Sequence, residues 1–331
     1  VGLLRKIAFP FSLVYALVVH IRNGMYDIGW LASKRYTTPI ICIGNLSVGG
    51  TGKTPMTEFL IKNLREHYHL AVLSRGYKRA SSGYVLADER STVSTLGDEP
   101  YQMYQKFKPM LLAVDADRRN GIDRLLKKDN PDVILLDDAY QHRKVHPKVR
   151  LLLTAYGDLY IDDWYLPTGN LRDAKYVAKN AAKIIVTKCP ENLSVAEKKA
   201  IELKLKPTAK QQVLFSFLQY SDLIKSETTE KPLNHLKQQP FTLVTGIANP
   251  RPLITYLKEL GLKFDHMAFN DHHNFTTKEI AVLQTKGTIL TTEKDYVRLK
   301  NKIADLWYLP VAHQFMDGGD AQLLAFLKRE I

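Results

Sequence analysis

The chain alternates short apolar runs with stretches in which apolar residues recur every three or four positions. Residues 39–45, 70–74, 110–114, 133–137 and 149–154 have the length and aliphatic content of buried strands. Between them, 54–67, 99–107 and 119–129 carry helical spacing. Strand and helix in turn predict βαβ units and a mainly parallel sheet. The second half repeats the style, with strands expected at 183–187, 213–218, 241–246, 288–291 and 306–309. Helices are expected at 195–203, 250–261, 277–283 and 320–328. The stretch 156–174 is rich in Gly, Pro, Asp and aromatics and reads as a lobe boundary. This divides the chain into a core lobe at 37–155 and a second lobe at 156–305, with 306–331 free to return to either.

Residues 9–31 break the pattern, being apolar almost throughout but interrupted by His20, Arg22 and Asp27. No uninterrupted apolar span of ~20 residues exists there to cross a bilayer. No small-residue cleavage site follows, which disfavours a signal peptide. Arg5, Lys6, Arg22, Lys34 and Arg35 flank or punctuate the segment, and Asp27 is its one acid before Glu58. Residues 1–36 therefore suit a helix lying in the interface of an anionic membrane, or one packed on the protein's own core.

Composition narrows the partners. A formal charge of +13 in 331 residues favours nucleic acid, an anionic membrane or a polyphosphate. RNA-binding signatures and repeats are absent from the sequence, so nucleic acid is not expected as a partner. Cys42 and Cys189 sit in or just after apolar runs and read as reduced core residues without metal-ligand spacing.

The chemistry begins after the first strand, with Ser47-Val48-Gly49-Gly50-Thr51-Gly52-Lys53-Thr54. Glycines there let successive backbone N–H groups turn inward as an anion nest, and the helix that follows adds its positive end. Lys53 is placed to reach the β- and γ-phosphates of a nucleotide, and the Thr54 hydroxyl to hold Mg²⁺. Ser47 stands where this motif usually has glycine.

An apolar strand ending in Asp137-Asp138 suits a Walker B acid pair near the metal. An ordinary strand-terminal turn is the alternative. Tyr140-Gln141-His142-Arg143 follow at the same edge, where open α/β sheets carry their sites. Asp98 of Gly97-Asp98-Glu99-Pro100 is either a helix cap or a base for a hydroxyl proton. Arg75, Arg118 and Arg119 follow other strands; they are clamps for phosphate oxygens or solvated loop charge. In Asp271-His272-His273 the adjacent imidazoles point apart, so a histidine–carboxylate pair is favoured over a metal site.

Guanine specificity is disfavoured, because Thr187-Lys188-Cys189-Pro190 lacks the base-reading Asp. A kinase remains, needing an acceptor site opposite the γ-phosphate. An ATPase or kinase for a soluble anion, and a membrane-recruited nucleotide switch, are the rival classes.

The ordered motifs Ser47–Pro55, Ser74-Arg75-Gly76-Tyr77, Gly97-Asp98-Glu99-Pro100, Asp137-Asp138-Ala139-Tyr140-Gln141-His142, Leu166-Pro167-Thr168-Gly169-Asn170-Leu171-Arg172, Asp271-His272-His273 and Thr292-Glu293-Lys294-Asp295 span nearly the whole chain. Together they resemble the tetraacyldisaccharide 4′-kinase (lipid A 4′-kinase) family, in which Ser at position 47 is usual. Asp173 replaces a more usual Glu, and Ala139-Tyr140 a Gly-Phe.

The resemblance implies a P-loop NTPase-like α/β/α sandwich with a second, smaller α/β/α lobe, joined by a two-stranded linker. It implies transfer of the ATP γ-phosphate, with Mg²⁺, to the 4′-hydroxyl of an acylated glucosamine disaccharide 1-phosphate. The work would be done peripherally, at the cytoplasmic face of the bacterial inner membrane. By the same resemblance Asp98 is the base and His272 supports it. Thr54, Asp137, Asp138 and Glu99 organise the metal. Arg172 looks substrate-side by that resemblance, and Arg75, Arg118, Arg119 and His142, at strand ends of the same sheet, and Asp173 beside Arg172 join it as candidates to face substrate. Asp98 and His272 are far apart in sequence and are expected to meet only when the lobes close on substrate.

Overall fold

A computed structural model describes residues 3–331. Its strands in chain order are β1 (Ile40–Asn45), β2 (Leu70–Ser74), β3 (Val85–Leu86), β4 (Leu111–Val114), β5 (Val133–Leu136), β6 (Val149–Ala155), β7 (Lys183–Thr187) and β8 (Gln212–Tyr220). There follow β9 (Leu223–Lys225), β10 (Glu230–Pro232), β11 (Phe241–Thr245), β12 (Phe264–Ala268), β13 (Ile289–Thr292), β14 (Leu306–Leu309) and β15 (Val311–Phe315). They form two sheets. The larger has nine strands in the order β15-β8-β7-β6-β1-β5-β2-β4-β3, and the smaller six in the order β10-β9-β14-β13-β11-β12. Strands β8 to β4 of the large sheet pair in parallel, with antiparallel β15 and β3 at its edges.

Period-two alternation explains the layers. Ile41 and Ile43 face a core shared with the helix Lys53–Leu64, while Ile40 and Cys42 face the opposite core beneath the helix Arg118–Asp129. A strand buried on both faces needs a continuous apolar run, and β1, β2 and β5 are buried at every position. Each such Leu or Ile contributes about 1.5–3 kcal/mol relative to exposure. The small sheet repeats the scheme, with Leu243 and Leu290 facing one core and Val244 and Ile289 the other.

The lobe boundary differs from the one expected at 155/156. Strands β7 and β8, assigned from sequence to the second lobe, extend the large sheet, so the chain leaves it after Tyr220. Residues 156–174 form irregular structure against the N-terminal helix instead of a linker. At the other end β14 belongs to the small sheet, and only β15 and the helix Gly319–Glu330 return. The two crossings lie side by side, with Val311 opposite Tyr220 and Ser221 N–H donating to the Pro310 carbonyl.

The helix Phe9–Asp27 lies on the large lobe with an inverted pattern. Ser12, Val19 and Asn23 are its buried residues, whereas Phe11, Leu13, Val14, Leu17, Val18 and Ile21 are exposed. Ser12 donates to Thr168 Oγ1 at 2.8 Å, and Tyr15 Oη to the Arg172 carbonyl at 3.2 Å. Polar contacts dock the helix, and its apolar stripe faces outward. Among the described residues no helix is long and apolar enough to cross a membrane.

Candidate active site

The phosphate loop follows β1 at the carboxyl edge of the large sheet, beside the β1/β6 pair where the strand order turns back. Gly52 has φ +81° and caps the helix Lys53–Leu64. A Cβ there would lie 2.9 Å from His313 Nε2. The loop is braced from several sides: Val48 N–H donates to the Asn170 carbonyl at 2.7 Å and Thr187 Oγ1 to the Thr51 carbonyl at 2.8 Å. Ser47 and Thr51 are buried, while Val48, Gly49 and Gly50 face solvent. Thr54 stands half-buried in the first helical turn.

Asn45, fully buried at the end of β1, organises the cations. Its Oδ1 accepts from Lys53 Nζ at 3.3 Å and from Arg172 Nη2 at 2.5 Å. Both cations also meet Asp138, Lys53 at 3.8 Å and Arg172 through a two-armed contact. Burial raises the Asp138 pKa, but the opposing pull of Lys53 and Arg172 prevails and holds it below the usual carboxylate range. Asp138 is thus engaged by cations of the chain itself.

Asp137 behaves oppositely. It is buried, and burial together with the charges of Glu99 and Asp138 pushes its pKa up to about 6. Its oxygens accept from Thr57 Oγ1 at 3.2 Å and Ser74 Oγ at 3.0 Å. Among the described residues no three His, Cys, Asp or Glu side chains are grouped as a complete metal cage. Mg²⁺ does not need one; it takes one or two carboxylates and keeps water and phosphate oxygens for the rest. Crowded negative charge at a buried acid beside a phosphate loop fits such an ion.

Gly97 has φ +88° and packs so closely on the Ser74–Tyr77 turn that a Cβ would lie 2.8 Å from the Tyr77 carbonyl. Asp98 therefore starts its helix buried at the same edge. The second lobe reaches across to it. His272 Nδ1 lies 2.7 Å from Asp98 Oδ2, and Arg298 Nε and Nη2 reach Oδ1 and Oδ2 at 2.6 and 2.5 Å. Lys294 Nζ, a donor only, lies 3.0 Å from His272 Nε2, so the imidazole proton sits on Nδ1 and points at Asp98. Burial works against ionisation of Asp98, and the bonds from His272 and Arg298 overcome it, lowering its pKa. Asp98 and His272, far apart in sequence, are thus in contact across the lobes. Arg298 belongs to no motif and was not anticipated; nor were Asn45 and Thr57.

The substrate-side residues divide. Arg118 is buried, with Nε and Nη2 lacking partners, and burial lowers its pKa to about 10. It opens with Arg22, Arg119, His142 and Arg143 onto a recess of about 270 Å³. Burial and the charges of Arg118 and Arg75 drop the His142 pKa to about 4 and keep the ring neutral. Arg75 is exposed beside this group. Asp173 does not face the recess: it is 1% exposed, and its Oδ1 accepts from Asn23 at 2.7 Å and from Ala174 N–H at 2.8 Å. Its short carboxylate anchors the N-terminal helix, which corrects the substrate role expected for it.

Known proteins agree with this architecture. The profile of the Tetraacyldisaccharide-1-P 4'-kinase family matches residues 4–331. A Tetraacyldisaccharide 4'-kinase of Flavobacterium johnsoniae is 47% identical, covering 100% of this chain and 99% of that protein. One from Bacteroides thetaiotaomicron is 46% identical over 89% of this chain and 83% of its own length. The crystal structure of LpxK from Aquifex aeolicus in complex with ATP superimposes with a TM-score of 0.81 at 30% identity, covering 98% of this chain and 99% of that one. The chain belongs to the Tetraacyldisaccharide-1-P 4'-kinase family.

Proposed function

We propose that this chain transfers the γ-phosphate of ATP, with Mg²⁺, to the 4′-hydroxyl of a tetraacylated glucosamine disaccharide 1-phosphate at the cytoplasmic face of a bacterial inner membrane. The observation that carries the reading is one sheet edge joining three parts: a phosphate loop, a buried acid crowded by neighbouring carboxylates, and Asp98 held by His272. Proximity of Glu99 to Asp137 ties the last two parts together.

Lys53 and the loop amides hold the triphosphate, with Lys53 drawing charge off the bridging oxygen. Arg172 stands beside Lys53 and adds a second positive charge at the same place. Asp137, Thr54 and Glu99 would hold Mg²⁺, which when bound neutralises phosphate charge. Asp138, paired with Lys53 and Arg172, sets where those cations stand. Asp98 accepts the hydroxyl proton, and its His272 partner keeps the carboxylate ionised and aimed. The basic recess of Arg22, Arg118, Arg119 and Arg143 suits the phosphate-bearing sugar.

The outward stripe of the helix Phe9–Asp27, with Trp30 and Trp164 also exposed, suits the headgroup boundary from which such a lipid is presented. A groove of about 480 Å³ between that helix and Trp164, Tyr165 and Tyr176 offers apolar walls beside it.

Incubation with γ-labelled ATP and the disaccharide 1-phosphate in mixed micelles, followed by chromatography of the lipid, tests the reading. Label in the lipid at the 4′ position is expected. ATP turnover with no labelled lipid would reject it.

A further inference from the structure

Asp98 and Lys106 stand at opposite ends of the helix Asp98–Lys106, and Glu293 and Arg298 near opposite ends of the helix Glu293–Leu299 in the other lobe. The helices face each other head to tail. Arg298 closes one end on Asp98, and Lys106 closes the other on Glu293 at 2.8 Å. Lys106 also reaches Glu58 of the phosphate-loop helix at 2.6 Å. Two ion pairs thus span the lobes, but only one of them touches the candidate base.

At that end the donors are unevenly shared. Oδ2 of Asp98 receives both Arg298 Nη2 and His272 Nδ1, while Oδ1 receives Arg298 Nε alone. Each carboxylate oxygen offers two lone-pair sites, so the open acceptor position of this buried group is on Oδ1. The guanidinium is itself held from behind by the His273 carbonyl and, at 3.0 Å, by Asn274 Oδ1. A planar fork fixes the carboxylate plane; an ammonium in its place would hold one oxygen only.

We propose that Arg298 is a positioning residue, reaching from the second lobe to fix the Asp98 carboxylate so that Oδ1 meets the acceptor hydroxyl. This rests on Asp98 being the base. In the step, the hydroxyl O–H bond breaks and its proton bonds to Oδ1. The electron pair left on the sugar oxygen forms the new bond to the γ-phosphorus, and the pair of the bridging P–O bond departs with ADP.

The full-length enzyme with ATP and the lipid in mixed micelles supplies the test, in four variants. Arg298→Lys keeps the charge and loses the fork; Arg298→Ala loses both. Glu293→Gln opens the far end of the same helix pair without touching Asp98, and Asp98→Ala removes the base. Arg298→Lys should lower kcat by about 10–100-fold, the scale of an ångström's misplacement, with KM for each substrate nearly unchanged. Free guanidinium should restore part of the Arg298→Ala rate and none of the Asp98→Ala rate, while Glu293→Gln, which leaves every contact of Asp98 in place, keeps kcat within about threefold of wild type even where loss of a buried pair lowers stability.

Wild-type kcat in Arg298→Lys, or an equal loss in Glu293→Gln, would overturn the positioning role in favour of a plain tie between lobes. A fast Asp98→Ala enzyme would instead reject the base. A disabled Asp98→Ala beside an unimpaired Arg298→Lys would reject only the arginine's part.

Discussion

His313 Nε2 lies 2.9 Å from the Gly52 carbonyl oxygen, placing the strand that returns from the second lobe directly beneath the phosphate loop. The carbonyl can only accept, so Nε2 carries the proton, and Nδ1 takes the Ser216 hydroxyl at 3.1 Å. Burial lowers the His313 pKa to about 4, a drop relieved only in part by the bond to Gly52.

The sign of its pH dependence follows. An unfolded chain protonates this ring near its ordinary pKa of 6.5, whereas the folded one resists down to about 4. Its stabilising contribution is therefore complete above about pH 6.5 and lost as pH falls toward 4, reaching about 3 kcal/mol. Gln in its place keeps a donor and an acceptor without a titrating group. Urea midpoints between pH 7 and 4.5 should fall more steeply for wild type than for His313→Gln; parallel curves would contradict the buried neutral ring.

Asn45 gathers Lys53 and Arg172 on one amide oxygen. Asn45→Ala removes that shared acceptor and leaves Asp138 alone to hold both cations. We expect kcat/KM for ATP to fall by about tenfold, the equivalent of one charge-assisted bond. Steady-state kinetics at saturating lipid would check this.

Lys53→Ala takes away the charge proposed to act on the bridging phosphate oxygen, and kcat should drop by about 10²-fold or more. Nucleotide binding followed by calorimetry separates this from a folding defect, since the loop amides remain.

Phe11, Leu17 and Ile21 project outward from a helix whose contacts with the lobe are made by other residues. Replacing all three with Gln should lower sedimentation with anionic vesicles by at least about tenfold, because each loses an apolar burial of about 1.5–3 kcal/mol. The melting temperature should stay within a few degrees. Unchanged sedimentation would contradict the interfacial role of the stripe.

How much was legible in the sequence depended on local signal. Central strands such as β2 and β7 were found to the residue, because a strand covered on both faces must be an unbroken apolar run. Strands β3, β9, β10, β12 and β15 were missed: each is an edge or antiparallel strand, and Val311–Phe315 carries His313 and Gln314 among its five residues. The helix Glu293–Leu299, seven residues opening Glu-Lys-Asp, has too little apolar spacing to declare itself.

The boundary was misplaced because residues 156–174 look like a linker, whereas their loop composition serves to seat the N-terminal helix. Within the site, glycine chemistry marked the phosphate loop, and the paired acids after β5 marked the sheet edge. Asn45 and Arg298 gave no such mark, because each gains its partners only through tertiary contacts, in the case of Arg298 from 200 residues away.

Asp98, a carboxylate gripped between two lobes, is proposed to take the proton of a lipid-borne alcohol. Asp98→Asn tests it most directly, retaining shape and removing basicity. Turnover of the disaccharide 1-phosphate with ATP should fall by about 10²-fold or more, with nucleotide binding retained. An Asp98→Asn enzyme that phosphorylates the lipid at close to the wild-type rate would contradict it.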